Sequence, residues 1–112
     1  MKIYYNKKLI ADKVKEAKTV RARILGLMFR KNLVSGEGLL LNPCNSIHTF
    51  FMREKIHVIF LDKDFKILKI YKHLKSKKII APIPKARMVL ELSKRTDINM
   101  LKKHEKIKIE KK

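Results

Sequence analysis

Among the side chains of the 112-residue chain whose types suit nucleophilic or metal chemistry, the group to weigh first is Cys44, His48, His57 and Asp62. A thiolate, imidazoles and a carboxylate ligate zinc-like ions and also make up a nucleophile with its base. The Cys-x3-His spacing crosses a loop containing Pro43 and can bring both groups to one ion, but it is not a closed zinc signature, and a structural zinc site takes four ligands. The simpler expectation is a buried thiol beside hydrogen-bonded histidines, with no metal and no cofactor. Arg23, Arg53, Asp62 and Glu91 form a second set. Asp62 heads a turn and is expected to accept backbone N–H bonds there. Glu91 stands mid-way along an apolar strand, where an unpaired carboxylate is costly, so it either faces solvent or pairs with a cation such as Arg23 or Arg53. The sequence contains no phosphate-cradling glycine loop, HExxH, GxSxG or paired-carboxylate signature.

The elements that must position these groups read mainly as β. Ile3-Tyr4-Tyr5 is a short strand, and residues 9–17 supply one or two more. The period then changes: Thr19 is an N-cap candidate, and Val20, Ile24, Leu27 and Met28 recur at helical spacing, which predicts an amphipathic helix of about three turns over 20–30. Gly26 within it disfavours helix by about 1 kcal/mol relative to Ala and suggests a close backbone approach. Ser35-Gly36-Glu37-Gly38 is a turn into Leu39-Leu40-Leu41. Residues 47–52 (IHTFFM) and 56–61 (IHVIFL) predict a hairpin closing about Glu54, which pairs His48 with Phe60 and His57 with Phe51 and starts the two imidazoles on different rows. Pro82 and Pro84 keep 79–85 extended and outside any central strand. Residues 88–92 are a further strand, 96–101 could form one helical turn, and 106–109 alternates strictly. Met28, Met52, Met88 and the phenylalanines, Phe29 included, are assigned to the core, although Phe50 and Phe51 fall on opposite faces. The fold class is a small β-sandwich or barrel with one short helix.

Composition bounds the partners. With 29 Lys and Arg against 10 Asp and Glu, the net charge is +19, and 46% apolar residues suffice for one packed core over 1–112. Only six of the cations are arginines, the side chain that grips phosphate in a planar fork. The lysine excess fits a solvated surface, or else a polyanion-binding face. The candidate basic patch is Lys66, Lys69, Lys72, Lys75, Lys77 and Lys78, on what is expected to be an edge strand, where lysine also discourages edge-to-edge pairing. A second lysine-rich tract covers 102–112. No apolar run reaches the roughly 20 residues of a membrane span, the N-terminal apolar stretch is short for a signal peptide, and the lone Cys44 suits a reducing compartment, so a cytoplasmic protein is expected.

The stretches Gly26-Leu27-Met28-Phe29-Arg30, Ser46-Ile47-His48-Thr49-Phe50-Phe51-Met52-Arg53, Val58-Ile59-Phe60-Leu61-Asp62 and Val89-Leu90-Glu91-Leu92, in this order and spacing, resemble the domain-of-unknown-function 192 family over about residues 14–110. The resemblance implies a mainly β, jelly-roll-like sandwich that carries the GLM-R helix; it brings no reaction, cofactor or catalytic residue. The chain departs from the family pattern at His57, where relatives carry Asp, at Ser93-Lys94-Arg95, which replaces Pro-Ala-Gly, and at His104-Glu105, which replaces a Gly-Asp turn. The function expected is that of a non-enzymatic binding or accessory module for an unknown protein or small molecule, with a candidate pocket of His48, Thr49, Met52, Arg53, His57, Asp62 and Glu91. The alternatives are polyanion binding through the lysines and a Cys/His hydrolase.

Overall fold

A computed structural model of the chain describes residues 1–28 and 30–111. In chain order the elements are β1 (Lys2–Tyr5), β2 (Lys8–Ala11), β3 (Lys13–Ala17), α1 (Val20–Leu25), β4 (Glu37–Leu41), β5 (Ile47–His48), β6 (Ile56–Leu61), β7 (Ile67–Leu74), β8 (Ile79–Ile80), β9 (Met88–Ser93) and β10 (Lys108–Glu110). A five-stranded sheet runs β3-β4-β9-β6-β7, a three-stranded sheet runs β10-β1-β2, and β5 pairs with β8 alone. Only β3 and β4 are parallel, and the crossover that parallel neighbours require is the segment bearing α1. The result is a mainly β fold of stacked open sheets, without a closed barrel.

The unbroken apolar run of β6 and the Met-Val-Leu-Glu-Leu of β9 mark strands covered on both faces, and every residue of both is buried. On one face Ile59, Leu61, Leu90 and Leu92 meet Ile3, Tyr5 and Ile10 of the three-stranded sheet, together with Ile98, Leu101 and Ile107 from the chain's last third. On the other face Ile56, Val58, Phe60 and Val89 meet Leu27, Leu33, Leu41, Ile47 and Ala86. Each of these large side chains contributes about 2 kcal/mol by leaving water. Gly38 of β4 lets the sheet close: a Cβ there would lie 2.1 Å from the Glu91 carbonyl oxygen across the β4–β9 pair.

Three local expectations are overturned. Residues 47–61 do not form a hairpin: β6 pairs with β7 and β9, while the Ile47–His48 strand pairs with Ile79–Ile80, so the predicted His48–Phe60 and His57–Phe51 pairs do not occur. Phe51 has φ 64, which ends the extended run before it can turn back. Glu54, placed at the hairpin tip by the sequence, instead accepts the Asn32 N–H at 2.7 Å and lies 3.3 Å from Arg95 Nη1. The helix is six residues long rather than three turns, and the stripe expected to face inward is open, with Val20 and Ile24 63% and 60% exposed. Leu27 is buried, but it lies beyond the helix. Residues 96–101 form no helix; a turn there is closed by the Leu101 N–H on the Ile98 carbonyl at 3.1 Å. Phe29, assigned to the core by sequence, lies outside the described residues.

At the two turns where the resemblance implies glycines that this chain lacks, the backbone is held by other means. His104 takes φ 75, a left-handed conformation that a Cβ disfavours, so that its N–H can reach the Ile67 carbonyl at 2.7 Å. At 93–95 the Ser93 hydroxyl donates to the Leu33 carbonyl and accepts the Arg95 N–H. Replacing His104 by Gly is expected to stabilise the fold by about 1 kcal/mol, the left-handed penalty less glycine's extra chain entropy. The check is a urea melt, with a raised midpoint and unchanged slope.

Candidate functional site

Glu91 organises the site. Its neighbours on β9, Leu90 and Leu92, point to the three-stranded sheet, so by alternation Glu91 points to the face crossed by α1. The helix begins at Thr19, whose hydroxyl accepts the Ala22 N–H at 3.0 Å, and stops at Gly26, whose φ 51 and ψ −132 leave the helical path. That break turns the Leu27 N–H onto Glu91 Oε1 at 3.2 Å. A Cβ on Gly26 would lie 2.8 Å from the same oxygen, so the carboxylate is the close neighbour that the glycine accommodates. Glu91 is only 4% exposed. It pairs with neither Arg23 nor Arg53, and it does not face bulk solvent; the sequence offered only those two outcomes. Burial pushes its pKa up to about 7, and the Leu27 N–H only partly offsets this.

Between α1 and the sheet lies a cleft of about 270 Å³. Its walls are Val20, Arg23, Ile24 and Leu25 of the helix, Pro43, Cys44 and Ser46 of the loop between β4 and β5, Ile47 and His48 of β5, and Met52; Leu41, Gly26 and Glu91 complete it. Glu91 Oε2 accepts no hydrogen bond among the described residues, yet every fully sealed side-chain nitrogen or oxygen there has a partner, so Oε2 must open onto this cleft. The Cys44 thiol donates to the Ser46 carbonyl at 3.0 Å. Burial raises its pKa; the Ser46 bond and Arg23 act against that, and Glu91 adds to it. His48 Nδ1 accepts the Phe50 N–H at 3.3 Å, and its ring lies 5.7 Å from that of Phe50.

Of the residues picked out by sequence, the cleft gathers His48, Met52 and Glu91, together with Cys44 and Arg23, and leaves the others elsewhere. Thr49 is sealed in the interior, donating to the Lys75 carbonyl at 2.7 Å and accepting the Lys78 N–H at 2.8 Å, which fixes the turn after β7. Arg53 is exposed and borders a separate depression with Lys55, Lys75 and Ser76. His57 shares a face with Ile59 and Leu61, away from Cys44; its Nδ1 accepts the His73 N–H and its ring meets that of His73 edge-on at 4.5 Å. Burial, reinforced by His73, lowers its pKa. Asp62 Oδ1 accepts the N–H groups of Asp64 and Lys66 at 2.8 and 3.0 Å, the turn role expected of it. Burial alone would raise the Asp62 pKa; those two bonds and the charges of Lys66 and Lys106 bring it below the ordinary carboxylate value. The 43–46 loop, which the sequence reading sets beside the site, lines the cleft through Pro43, Cys44 and Ser46, whereas Val20 and Ile24 are cleft residues that reading misses; the one sequence signal near them is Gly26, a glycine breaking a helical pattern.

Among the described residues no three His, Cys, Asp or Glu side chains come together as a metal-binding group. The lysines of β7 divide: Lys69 pairs across to Phe60 and stands 5.7 Å from the Tyr71 ring on the α1 side, whereas Lys72 reaches Asn99 at 3.2 Å on the opposite side. No described helix is long and apolar enough to cross a membrane.

The DUF192 family model, described as an uncharacterized conserved family, matches residues 3–109. Two solved structures share the fold. One, a protein of unknown function from Novosphingobium aromaticivorans DSM 12444, is 18% identical with TM-score 0.72, over 82% of this chain and 70% of that one. The other, a candidate transcription regulator from Sinorhizobium meliloti 1021, is 19% identical with TM-score 0.76, over 96% and 89%. No curated protein matches significantly.

The raised pKa of Glu91 has a signed consequence for stability. Between pH 4.5 and about 7 the unfolded chain has lost this proton while the folded chain keeps it, so stability falls as pH rises through that window. The loss amounts to about 3 kcal/mol when complete. Denaturant melts of the wild type and Glu91→Gln at pH 4.5, 6 and 8 are expected to diverge by that amount, the wild type becoming the less stable at high pH relative to its own acid value.

Proposed function

This chain belongs to the DUF192 family, and on that footing we propose that it is a binding module rather than an enzyme, whose cleft beneath α1 receives a small apolar ligand anchored by Glu91. One observation carries this: a carboxyl group 4% exposed, with one oxygen held by the Leu27 N–H and the other unpartnered and facing an apolar cleft. Burying such a group is costly, and an amide in its place would still accept the Leu27 N–H without being an acid, so stability alone does not account for the carboxyl. A concave, mainly apolar wall with few convergent polar groups is what small ligands occupy. Against catalysis stand the Cys44 thiol, held protonated by burial and given to the Ser46 carbonyl, and His48, whose Nδ1 is occupied by a backbone N–H. Without a thiolate, and with the histidine nitrogen occupied, Cys/His nucleophilic chemistry lacks its parts.

Screening neutral apolar fragments by amide chemical shift is expected to move Gly26, Leu27, Cys44 and Ile47 together. Ile24→Lys puts a charge on the mouth at a position already 60% exposed. It is expected to weaken those fragments about tenfold, while thermal stability stays within about 0.5 kcal/mol of the wild type. Fragments that shift only other regions, or bind the variant equally well, count against the cleft.

A second reading rests on the lysines: Lys69, Lys72, Lys75, Lys77 and Lys78 are exposed, and none of the candidate patch forms an ion pair among the described residues. Because they spread over both faces of β7 and the turn beyond, the contact they support is diffuse and sequence-blind. Fluorescence anisotropy with a DNA duplex is expected to show binding at 50 mM salt that falls at least a hundredfold by 200 mM, without preference among sequences. No binding at either salt removes this second reading.

A further inference from the structure

We propose that the ligand of this cleft is an organic carboxylate with a short apolar chain, its head group seated between the Arg23 guanidinium and the Glu91 carboxyl. The inference rests on the cleft being a binding site and adds the class of molecule. Arg23 lines the cleft from α1, and only its Nη1 is committed, donating to the Lys18 carbonyl at 2.8 Å; its remaining N–H groups have no partner among the described residues. They supply the planar fork that suits a carboxylate. Glu91 faces the same space with a free oxygen and is the only acidic side chain lining it. The two groups make no ion pair with each other, so each is available to a third.

Charge decides the sign of the ligand. A cationic head would have to ionise Glu91 inside an apolar cleft and sit against Arg23. A carboxylate pairs with Arg23 and accepts the Glu91 proton as a hydrogen bond, which leaves the buried acid neutral, and the +19 field draws anions toward the mouth. The chain then lies along Val20, Ile24, Ile47 and Met52. The other groups facing Glu91 are the Leu27 N–H from the loop after α1, Cys44 from the 43–46 loop, and His48 from β5. The Glu91→Gln variant is therefore the arm that assigns the pH dependence.

The test is an amide-shift titration of the whole chain with hexanoate, hexylammonium and hexanol at pH 6 and pH 8.5. Hexanoate is expected to shift Gly26, Leu27 and Cys44 saturably, to bind about tenfold more tightly at pH 6 than at pH 8.5 because the acid form of Glu91 is the donor, and to bind better than the other two. Glu91→Gln keeps a donor at all pH values and is expected to level the two hexanoate affinities. Arg23→Met is expected to weaken hexanoate at least tenfold while leaving hexanol unchanged. Hexylammonium or hexanol binding as well as hexanoate overturns the carboxylate assignment and leaves the cleft as a binding site. A tenfold pH ratio persisting in Glu91→Gln assigns the proton to another group and overturns the part given to Glu91. If all three probes and the neutral fragments leave those amides unmoved, the binding reading itself falls.

Discussion

Every residue of β6 and β9 is out of water, and that two-sided burial is the constraint the rest of the molecule serves. A sheet with one wet face needs one cover; this one needs two, so the chain must supply the three-stranded sheet and its flanking loop on one side and α1 with its following loop on the other. Of the antiparallel pairs among β4, β9, β6 and β7 only β6–β7 is a local return of the chain, while β4–β9 and β6–β9 join distant segments and β3 joins β4 in parallel, by a crossover. The crossover carries α1 over the second face, and the cleft is the part of that face which a six-residue helix does not fill.

Gly26, Leu27 and Glu91 make one mechanical unit out of this cover. The helix can end where it does because glycine adopts the required φ, the turn then aims the Leu27 N–H inward, and the carboxylate that receives it occupies the space a Cβ would claim. Each part depends on the other two. A side chain at 26 would push the carboxylate off its donor, and an apolar residue at 91 would leave the Leu27 N–H buried and unpaired, which costs about 1–3 kcal/mol. The carboxyl group satisfies both demands with one oxygen.

How much of this was legible in the sequence follows from where the determining contacts lie. The strands were readable where the pattern is local: the apolar runs at 56–61 and 88–92, the short strand at the N-terminus, the lysine-bearing edge at 67–74, and the Asp62 turn all occur where their residue types place them. The hairpin failed because pairing partners are a tertiary matter. Residues 47–52 and 56–61 both favour strand, but nothing in either encodes that Ile47 seeks Ile80 and that β6 already has neighbours on both sides. The helix was overdrawn because its period of apolar residues continued through a glycine that in fact ends it. For the site, His48, Met52 and Glu91 share a cleft, while His57 and Asp62, equally reactive by type, are consumed by a strand-edge contact and a turn. Residue type announced the candidates, and only the alternation of faces, measured against the real strand partners, separates them.

The exposure of α1 fits the site it covers. None of its six residues is buried, and it is held by a threonine cap at one end and the Gly26 break at the other, with Arg23 fastened to the Lys18 carbonyl. An element with so little apolar burial opens at a free energy well below that of global unfolding, while the two-sided core beneath it stays shut. Leu27 is the exception: it is anchored in the core just past the helix, so the Glu91 contact persists when the helix moves. The wall carrying Val20, Arg23 and Ile24 can therefore give way without disturbing the acid beneath it. A rigid, fully packed helix over the same carboxyl would bury it as securely and leave no path to it.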